Sequence, residues 1–189
     1  MATALFITEQ FIKDNSVIDE NLDMKYLTVT IDKCQKLYMR PILGTALYNE
    51  LQTQINAGTV TALNTTLLDN YIQEALLYYV LFEGISLFTY KITNKSIMKK
   101  SSDNSQPIDS ETVFDLRDKY KNDAEAFSEL VTNYLIANSS SYPLFLNPGN
   151  TYDTIHPNMN NYQCGWALGD SKPNIGNTEI ARSRYKPYY

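Results

Sequence analysis

The sequence predicts an all-α fold: a bundle of four to five helices with one long loop and an extended, largely non-helical C-terminal arm. Apolar residues recur at helical spacing through most of residues 1–146, the predicted helical domain. Strand signals are weak, with short possibilities only at residues 98–100 and 165–168. In residues 147–189, the predicted arm, Pro, Gly and Asn occur too often for a helix.

The first two helices are predicted from charge and spacing. Residues 8–15 are expected to form a short helix. Acidic residues within positions 19–23 would complement the dipole at the start of a second helix. Because Pro41 disfavours helical conformation in the residue before it, this helix is expected to end by Arg40. Its apolar stripe consists of Leu27, Ile31, Cys34 and Tyr38.

The motif RPILGT, residues 40–45, is predicted to be a structural corner between two helices rather than a binding site. Pro41 has no backbone N–H to donate, and Gly44 can adopt a positive φ. Thr45 is then available as the N-cap of the third helix. That helix is expected to close at Gly58, and its apolar stripe is Leu47, Leu51 and Ile55.

The centre of the fold is predicted to be a helix from Leu67 to about Lys91, which is apolar on nearly all sides. Thr66 and Asp69 resemble a capping box at its start. A soluble helix of this kind must be surrounded by other helices or by neighbouring subunits. The last long helix is expected to begin near Asp109 and Ser110, with apolar residues every three or four positions.

Between these two helices, residues 92–109 are predicted to form a long exposed loop. Compact domains seldom keep so long a loop without a use, so we expect it to meet a neighbouring subunit or to line a channel. The residues assigned to this contact are Lys95, Lys99 and Lys100. A plainly solubilising role for these lysines is an equal alternative.

The arm is predicted to dock on a partner, because large aromatic rings dominate interface energetics. A disordered tail is usually poor in such rings. Three basic residues near its end would suit an acidic partner. The residues assigned to docking are Tyr162, Trp166, Arg182, Arg184, Tyr185, Lys186, Tyr188 and Tyr189.

Composition restricts the classes of function. A net charge of −5 argues against a protein that coats nucleic acid, although DNA could pass nearby. Cys34 and Cys164 are expected to be free thiols in a reducing compartment, because two distant cysteines do not make a disulfide framework. No secretory signal or membrane-spanning stretch is recognised, so a soluble protein that is not exported is expected.

Signals for catalysis are weak, and the chain is expected not to be an enzyme and to need no cofactor or metal. His156, the sole histidine, lacks a recognisable nucleophile motif around it and is interpreted as a surface or interface residue. Asp115 and Asp118 could form half of a diphosphate site, but their basic neighbours favour a solvated charged face. Glycine-rich phosphate loops are not recognised either.

The stretch from Phe6 to Leu51, which contains FITEQFIKDNSVIDENLD and YMRPILGTALYNEL, resembles the tailed-phage head-tail connector proteins. This adaptor family forms a ring beneath the portal. The resemblance continues through EALLYYVLFEGI, the loop with SSDNSQPID and the helix FDLRDKYKNDAEAFSELVTNYL, and so covers roughly residues 5–146.

The resemblance implies a virion protein of the phage neck, present in the host cytoplasm during assembly. It implies a ring of this chain, with twelve subunits as the expected number, that binds the portal and prolongs the DNA channel. Further neck or tail proteins would be partners, DNA only passing cargo, and no membrane would be involved. The alternatives are an all-α enzyme or ligand-binding bundle and a soluble interaction module unrelated to virions.

Overall fold

The structure is a computed structural model that describes residues 4–18, 22–92, 97–99, 110–149 and 154–158. Its architecture is all-α, as the sequence predicts. Seven α-helices, two π-helical turns and one 3₁₀ turn occur in these residues, together with a single small hairpin. The α-helices are α1 (Glu9–Asn15), α2 (Met24–Cys34), α3 (Arg40–Ala57), α4 (Ala62–Leu67), α5 (Gln73–Thr89), α6 (Ser110–Ala137) and α7 (Pro143–Leu146).

Helices α2 and α3 form one continuous arc joined by a π-helical turn, Gln35–Met39. The prediction that the second helix ends by Arg40 is therefore wrong. The N–H of Arg40 donates to the carbonyl of Gln35, five residues earlier, and Arg40 keeps helical dihedrals. The wider turn carries the helix through Pro41, which lies in the first turn of α3.

The interruption comes at Gly44, where φ is 75° and ψ is 157°. This conformation is accessible essentially only to glycine, so the positive φ expected from the motif is present. Helix α3 then continues to Ala57 and is closed by Gly58 in the left-handed conformation, as predicted.

The central helix begins earlier than predicted, at α4, and a second π-helical turn, Leu68–Ile72, joins α4 to α5. The proposed capping box at Thr66 is wrong. Thr61 is the N-cap, because its hydroxyl accepts from the N–H of Asn64. Thr66 lies inside the helix, and its hydroxyl donates to the carbonyl of Ala62. Threonines four or five residues apart present similar local patterns, and the polar connector could end at either one.

Helix α5 is surrounded by the rest of the subunit. From Gln73 to Ile85 only Glu74 is exposed. Helices α2 and α6 both pack along α5, and the first π-helical turn also contacts it. The near-continuous apolar surface predicted for this helix is thus buried within one chain.

The segment after α5 differs from the predicted loop. Strands β1 (Tyr90–Ile92) and β2 (Ile97–Lys99) form an antiparallel hairpin in which Tyr90 pairs with Lys99 and Ile92 with Ile97. Tyrosine and isoleucine favour strands, but the sequence indicates a weak strand possibility only at residues 98–100, which overlaps β2 and not β1. Residues 93–96 and 100–109 of the predicted loop lie outside the described residues, and α6 starts at Ser110 as expected.

Stacked aromatic rings join the second π-helical turn and α5 to α6. Tyr78 stacks on Phe127 with ring centroids 4.9 Å apart, and Tyr71 stacks on Tyr134 at 4.2 Å. The hydroxyl of Tyr142 donates to the carbonyl of Leu63 at 3.0 Å. The tyrosines of this region therefore have a structural role in the packing of the helices.

A first compact unit runs from Met1 to Met159. It extends past residue 146, the predicted end of the helical domain, because residues 154–158 pack on α3. Within the described ranges, no helix is both long and apolar enough to cross a bilayer.

Candidate functional site

The break at Gly44 interrupts the backbone hydrogen bonds of the helix that span this residue, and a distant segment binds at the break. In an unbroken helix the N–H of Thr45 would donate to the carbonyl of Pro41, four residues earlier. Here the N–H of Thr45 donates instead to the carbonyl of Ile155 at 2.9 Å, and the carbonyl of Pro41 accepts from the N–H of Asn158 at 3.1 Å. Residues 155–158 thus provide partners for the N–H of Thr45 and the carbonyl of Pro41.

Side-chain contacts reinforce this attachment. The hydroxyl of Thr45 accepts from the N–H of Ile155 at 2.9 Å. Pro157 lies directly over Gly44, so that a Cβ atom on Gly44 would come within 2.8 Å of its ring. Gly44 therefore permits both the backbone conformation and the close approach of Pro157. We call residues 154–158 the corner segment.

The corner was predicted to be structural rather than a binding site. It is structural, and it also binds the corner segment, which belongs to the same chain and starts within the predicted arm. His156, exposed as interpreted from the sequence, lies in this segment. The segment has no periodic pattern, so the sequence could not reveal its partner.

A second extended segment, Ala4–Ile7, is held on the same helical arc by two glutamines. Gln35, which is fully buried, accepts from the N–H of Phe6 and donates to the carbonyl of Ala4, both at 2.8 Å. Gln52 accepts from the N–H of Ala4 at 2.8 Å and donates to its carbonyl at 2.6 Å. The two side-chain amides form hydrogen bonds with the backbone of this segment, as the backbone of a neighbouring β-strand would. We call residues 4–7 the N-terminal segment.

The side of α2 that faces away from α5 exposes apolar side chains among basic ones. Leu27 and Cys34 are buried toward α5, whereas Val29 is 61% exposed and Leu37, in the first π-helical turn, is 53% exposed. Lys25 and Lys36 are exposed on this helical stretch as well. We call this surface the α2 outer face.

Helix α6 exposes a corresponding surface of opposite charge. Ala124 and Val131 are buried toward α5, while Leu130 is 50% exposed. At 3.6 residues per turn, Asp115 and Asn133 fall on the side opposite the buried pair. Asp118 is exposed on the adjoining side. We call this surface the α6 outer face.

The sequence suggested that Asp115 and Asp118 could form half of a diphosphate site, which would hold a metal ion. Both are exposed, and the described residues contain no group of three or more His, Cys, Asp or Glu side chains placed to hold a metal ion. Their position favours the solvated charged face that the sequence suggested.

The contact between α2 and α5 contains a small titratable network. Glu83 accepts from Lys33 at 2.6 Å and from the hydroxyl of Tyr38 at 2.5 Å. Burial alone would raise the pKa of Glu83, but these two hydrogen bonds, together with the charges of Lys33 and Arg117, outweigh it and lower the pKa. Burial, together with the hydrogen bond to Glu83, raises the pKa of Tyr38.

Cys34 lies beside this network, fully buried, with its thiol 3.4 Å from the carbonyl of Tyr79. Burial, and then the Glu83 carboxylate, raise the pKa of the thiol to about 12. A thiol held in its neutral form is a poor nucleophile, so the network has the properties of a structural contact.

Most residues assigned from the sequence to inter-subunit contact and docking fall outside the described residues. Lys95 and Lys100 lie there, and Lys99 is described only as the backbone of the last residue of β2. The docking residues also lie there: Tyr162, Trp166, Arg182, Arg184, Tyr185, Lys186, Tyr188 and Tyr189. Of the residues assigned from the sequence, the described part of the chain brings together only Pro41 and Gly44 of the corner, which contact the corner segment.

Comparison with known proteins gives a family but no named relative. Neither the curated proteins nor the solved structures contain a match to this chain. A family profile matches residues 39–155, from the residue before the corner to the residue whose carbonyl accepts from Thr45. With well over half of its length matched, the chain belongs to the family of unknown function DUF6712.

Proposed function

We propose that this chain is a head-tail connector subunit of a tailed phage, a structural virion protein that forms a ring beneath the portal. The ring extends the DNA channel and docks the next neck or tail component. The proposal starts from the resemblance of residues 6–51 and from the order of helices, loop and arm along the chain.

The observation that carries it is the pair of outer faces. Val29 and Leu37 on one face, and Leu130 on the other, leave large apolar side chains in solvent in a single subunit. Each face lies on the far side of its helix from α5, so the two cannot meet within one chain. A subunit in a ring has two different contacts, one with each neighbour, and needs two such surfaces.

The net charge of the chain is consistent with the role expected for DNA. At a net charge of −5 the protein is unsuited to gripping nucleic acid over a broad face, which agrees with DNA as passing cargo. The described residues give no support to the enzyme alternative, because the carboxylates that suggested it are exposed to solvent.

The test is electron microscopy and mass measurement of the full chain, alone and mixed with a purified portal ring. Rings, expected to contain twelve subunits, should form alone or on the portal. A chain that stays monomeric in both conditions and does not bind the portal would overturn the proposal. Ring formation without portal binding would favour a different assembly.

A further inference from the structure

We infer that the α6 outer face of one subunit packs against the α2 outer face of the next copy, so that acidic and basic surfaces alternate around the assembly. This inference rests on the proposed function, since it names the contact by which the ring would close. It is argued from charge, exposure and the positions of the two helices.

The two faces carry opposite charge. Residues 24–39 contain three basic residues and one acidic residue, Asp32, which pairs with Lys36, so their net charge is +2. Glu83, which pairs with Lys33, lowers the charge of this side to +1. From Ser110 to Ala137 there are six acidic residues and three basic ones, a net charge of −3. Surfaces with complementary potentials attract each other and disfavour contact with their own kind.

The two faces point in different directions. Glu83 of α5 contacts α2 through Lys33, whereas its neighbour Phe82 contacts α6 through Arg117, whose guanidinium lies 4.4 Å from the ring centroid. Successive residues of a helix point roughly 100° apart. Helices α2 and α6 therefore lie on different sides of α5, and their outer faces are available to two different neighbours.

Each face exposes both apolar and charged side chains, a composition that suits contact with another protein. Val29 and Leu37 on one face and Leu130 on the other supply apolar area. Lys25 and Lys36 flank the first set, and Asp115 and Asp118 lie on the helix of the second. Apolar side chains together with charged ones are the usual composition of a protein interface. A like-with-like contact would place charges of the same sign together, so a head-to-tail contact is favoured.

Charge reversal tests the inference directly. Asp115→Lys with Asp118→Lys, and separately Lys25→Glu with Lys36→Glu, should each raise the concentration needed for assembly by about tenfold or more. Combining both pairs in one chain should restore assembly toward that of the unaltered protein. Asp14→Lys with Asp69→Lys, also exposed but on other helices, is the matched control and should assemble normally.

Crosslinking tests the geometry. In a Cys164→Ser background, Val29→Cys subunits mixed with Leu130→Cys subunits should give crosslinked dimers with a short bifunctional maleimide. The doubly substituted chain should give a ladder of dimers, trimers and larger species. Each single variant alone should give several-fold less dimer, and the neutral buried thiol of Cys34 should not contribute.

The outcomes separate this inference from the proposed function. If rings form but neither crosslinking nor charge reversal involves these faces, the inference is wrong and the connector function stands. If single variants crosslink to themselves as well as to each other, the contact is two-fold rather than head-to-tail, and the inference is wrong. If no ring forms under any condition, the proposed function fails as well.

Discussion

The N-terminal segment and the corner segment are both extended, and both lie on the helical arc of α2 and α3, but they are held in different ways. The first is buried, with Phe6 and Ile7 in the core, and its backbone is bound by the side chains of Gln35 and Gln52. The second leaves Ile155 exposed and is bound by the backbone of the broken helix. The first attachment is part of the core, whereas the second can open without uncovering it.

The largest effect is expected from Gln35→Leu. This change leaves the N–H of Phe6 buried without its partner and removes one of two donors to the carbonyl of Ala4. We expect the free energy of unfolding to fall by about 3 kcal/mol, measured by urea denaturation. Gln52→Leu is the comparison and should cost less, because its hydrogen bonds are only partly buried. Equal and small losses would show that the amides do not hold the N-terminal segment.

Gly44→Val should come next, at about 2 kcal/mol of unfolding free energy. The substitution forces a β-branched residue into a glycine conformation and drives its Cβ to within 2.8 Å of Pro157. A matched reference is Gly58→Ala, where φ is also positive but no atom lies within 4 Å of the added Cβ.

A Pro157→Gly change in the Gly44→Val background should recover part of the lost melting temperature by removing the contact. If Gly44→Val melts like the unaltered protein, Gly44 is not constrained and the corner segment does not pack there. Full recovery by Pro157→Gly would mean that the contact, rather than the backbone conformation, accounts for the whole loss.

Thr45→Val should loosen the corner segment with little change in overall stability. It removes the acceptor for the N–H of Ile155 at an exposed site, where water can replace it. Hydrogen exchange at Ile155 and Asn158 should accelerate about fivefold, as about 1 kcal/mol implies. Thr53→Val, at an exposed threonine in the same helix, is the control and should leave these amides unchanged. Accelerated exchange of the N-terminal segment would contradict the independence of the two attachments.

The smallest effect on folding stability is expected when the pH is lowered. The hydrogen bonds that hold both segments join amide, backbone and hydroxyl groups, whereas the α2–α5 contact contains the carboxylate of Glu83. Because the folded pKa of Glu83 is lowered, its stabilisation is present above the ordinary carboxyl pKa of about 4.5 and is lost as pH falls through the folded value.

Glu83→Gln should therefore cost about 0.5 kcal/mol at neutral pH and flatten the loss of stability below that pH. Thermal melts from pH 3 to 7 measure both. If the stability of this variant falls with acid as steeply as that of the unaltered protein, other groups account for the acid sensitivity. Preferential release of either segment by acid would mean that the attachments contain a titrating group.

Several features of the fold are readable in the sequence because they depend on local pattern. The stripe of Leu47, Leu51 and Ile55, the apolar α5 and the closing Gly58 each appear where periodicity and glycine place them. Gly44 was identified from its motif alone. These features need only the spacing of residues and the conformational freedom of glycine.

The errors have physical causes. Pro41 did not end the helix, because a π-helical turn before it is not encoded in a recognisable pattern. Thr61 and Thr66 offer similar capping signals, and tertiary packing selects the first. Gln35 and Phe6 are 29 positions apart, and Thr45 and Ile155 are 110 positions apart, so no local rule connects such pairs. The outer faces were also missed, since exposure of Val29 and Leu130 follows from helix packing.

The corner segment also determines how the subunit would respond to force. Any pull on the chain beyond Asn158 first loads the hydrogen bond from Asn158 to Pro41, and only after that bond breaks the pair between Ile155 and Thr45. Bonds loaded one after another separate at lower tension than bonds loaded together. The attachment would therefore peel in two steps, and the corner segment would detach before the load passed to the helical core.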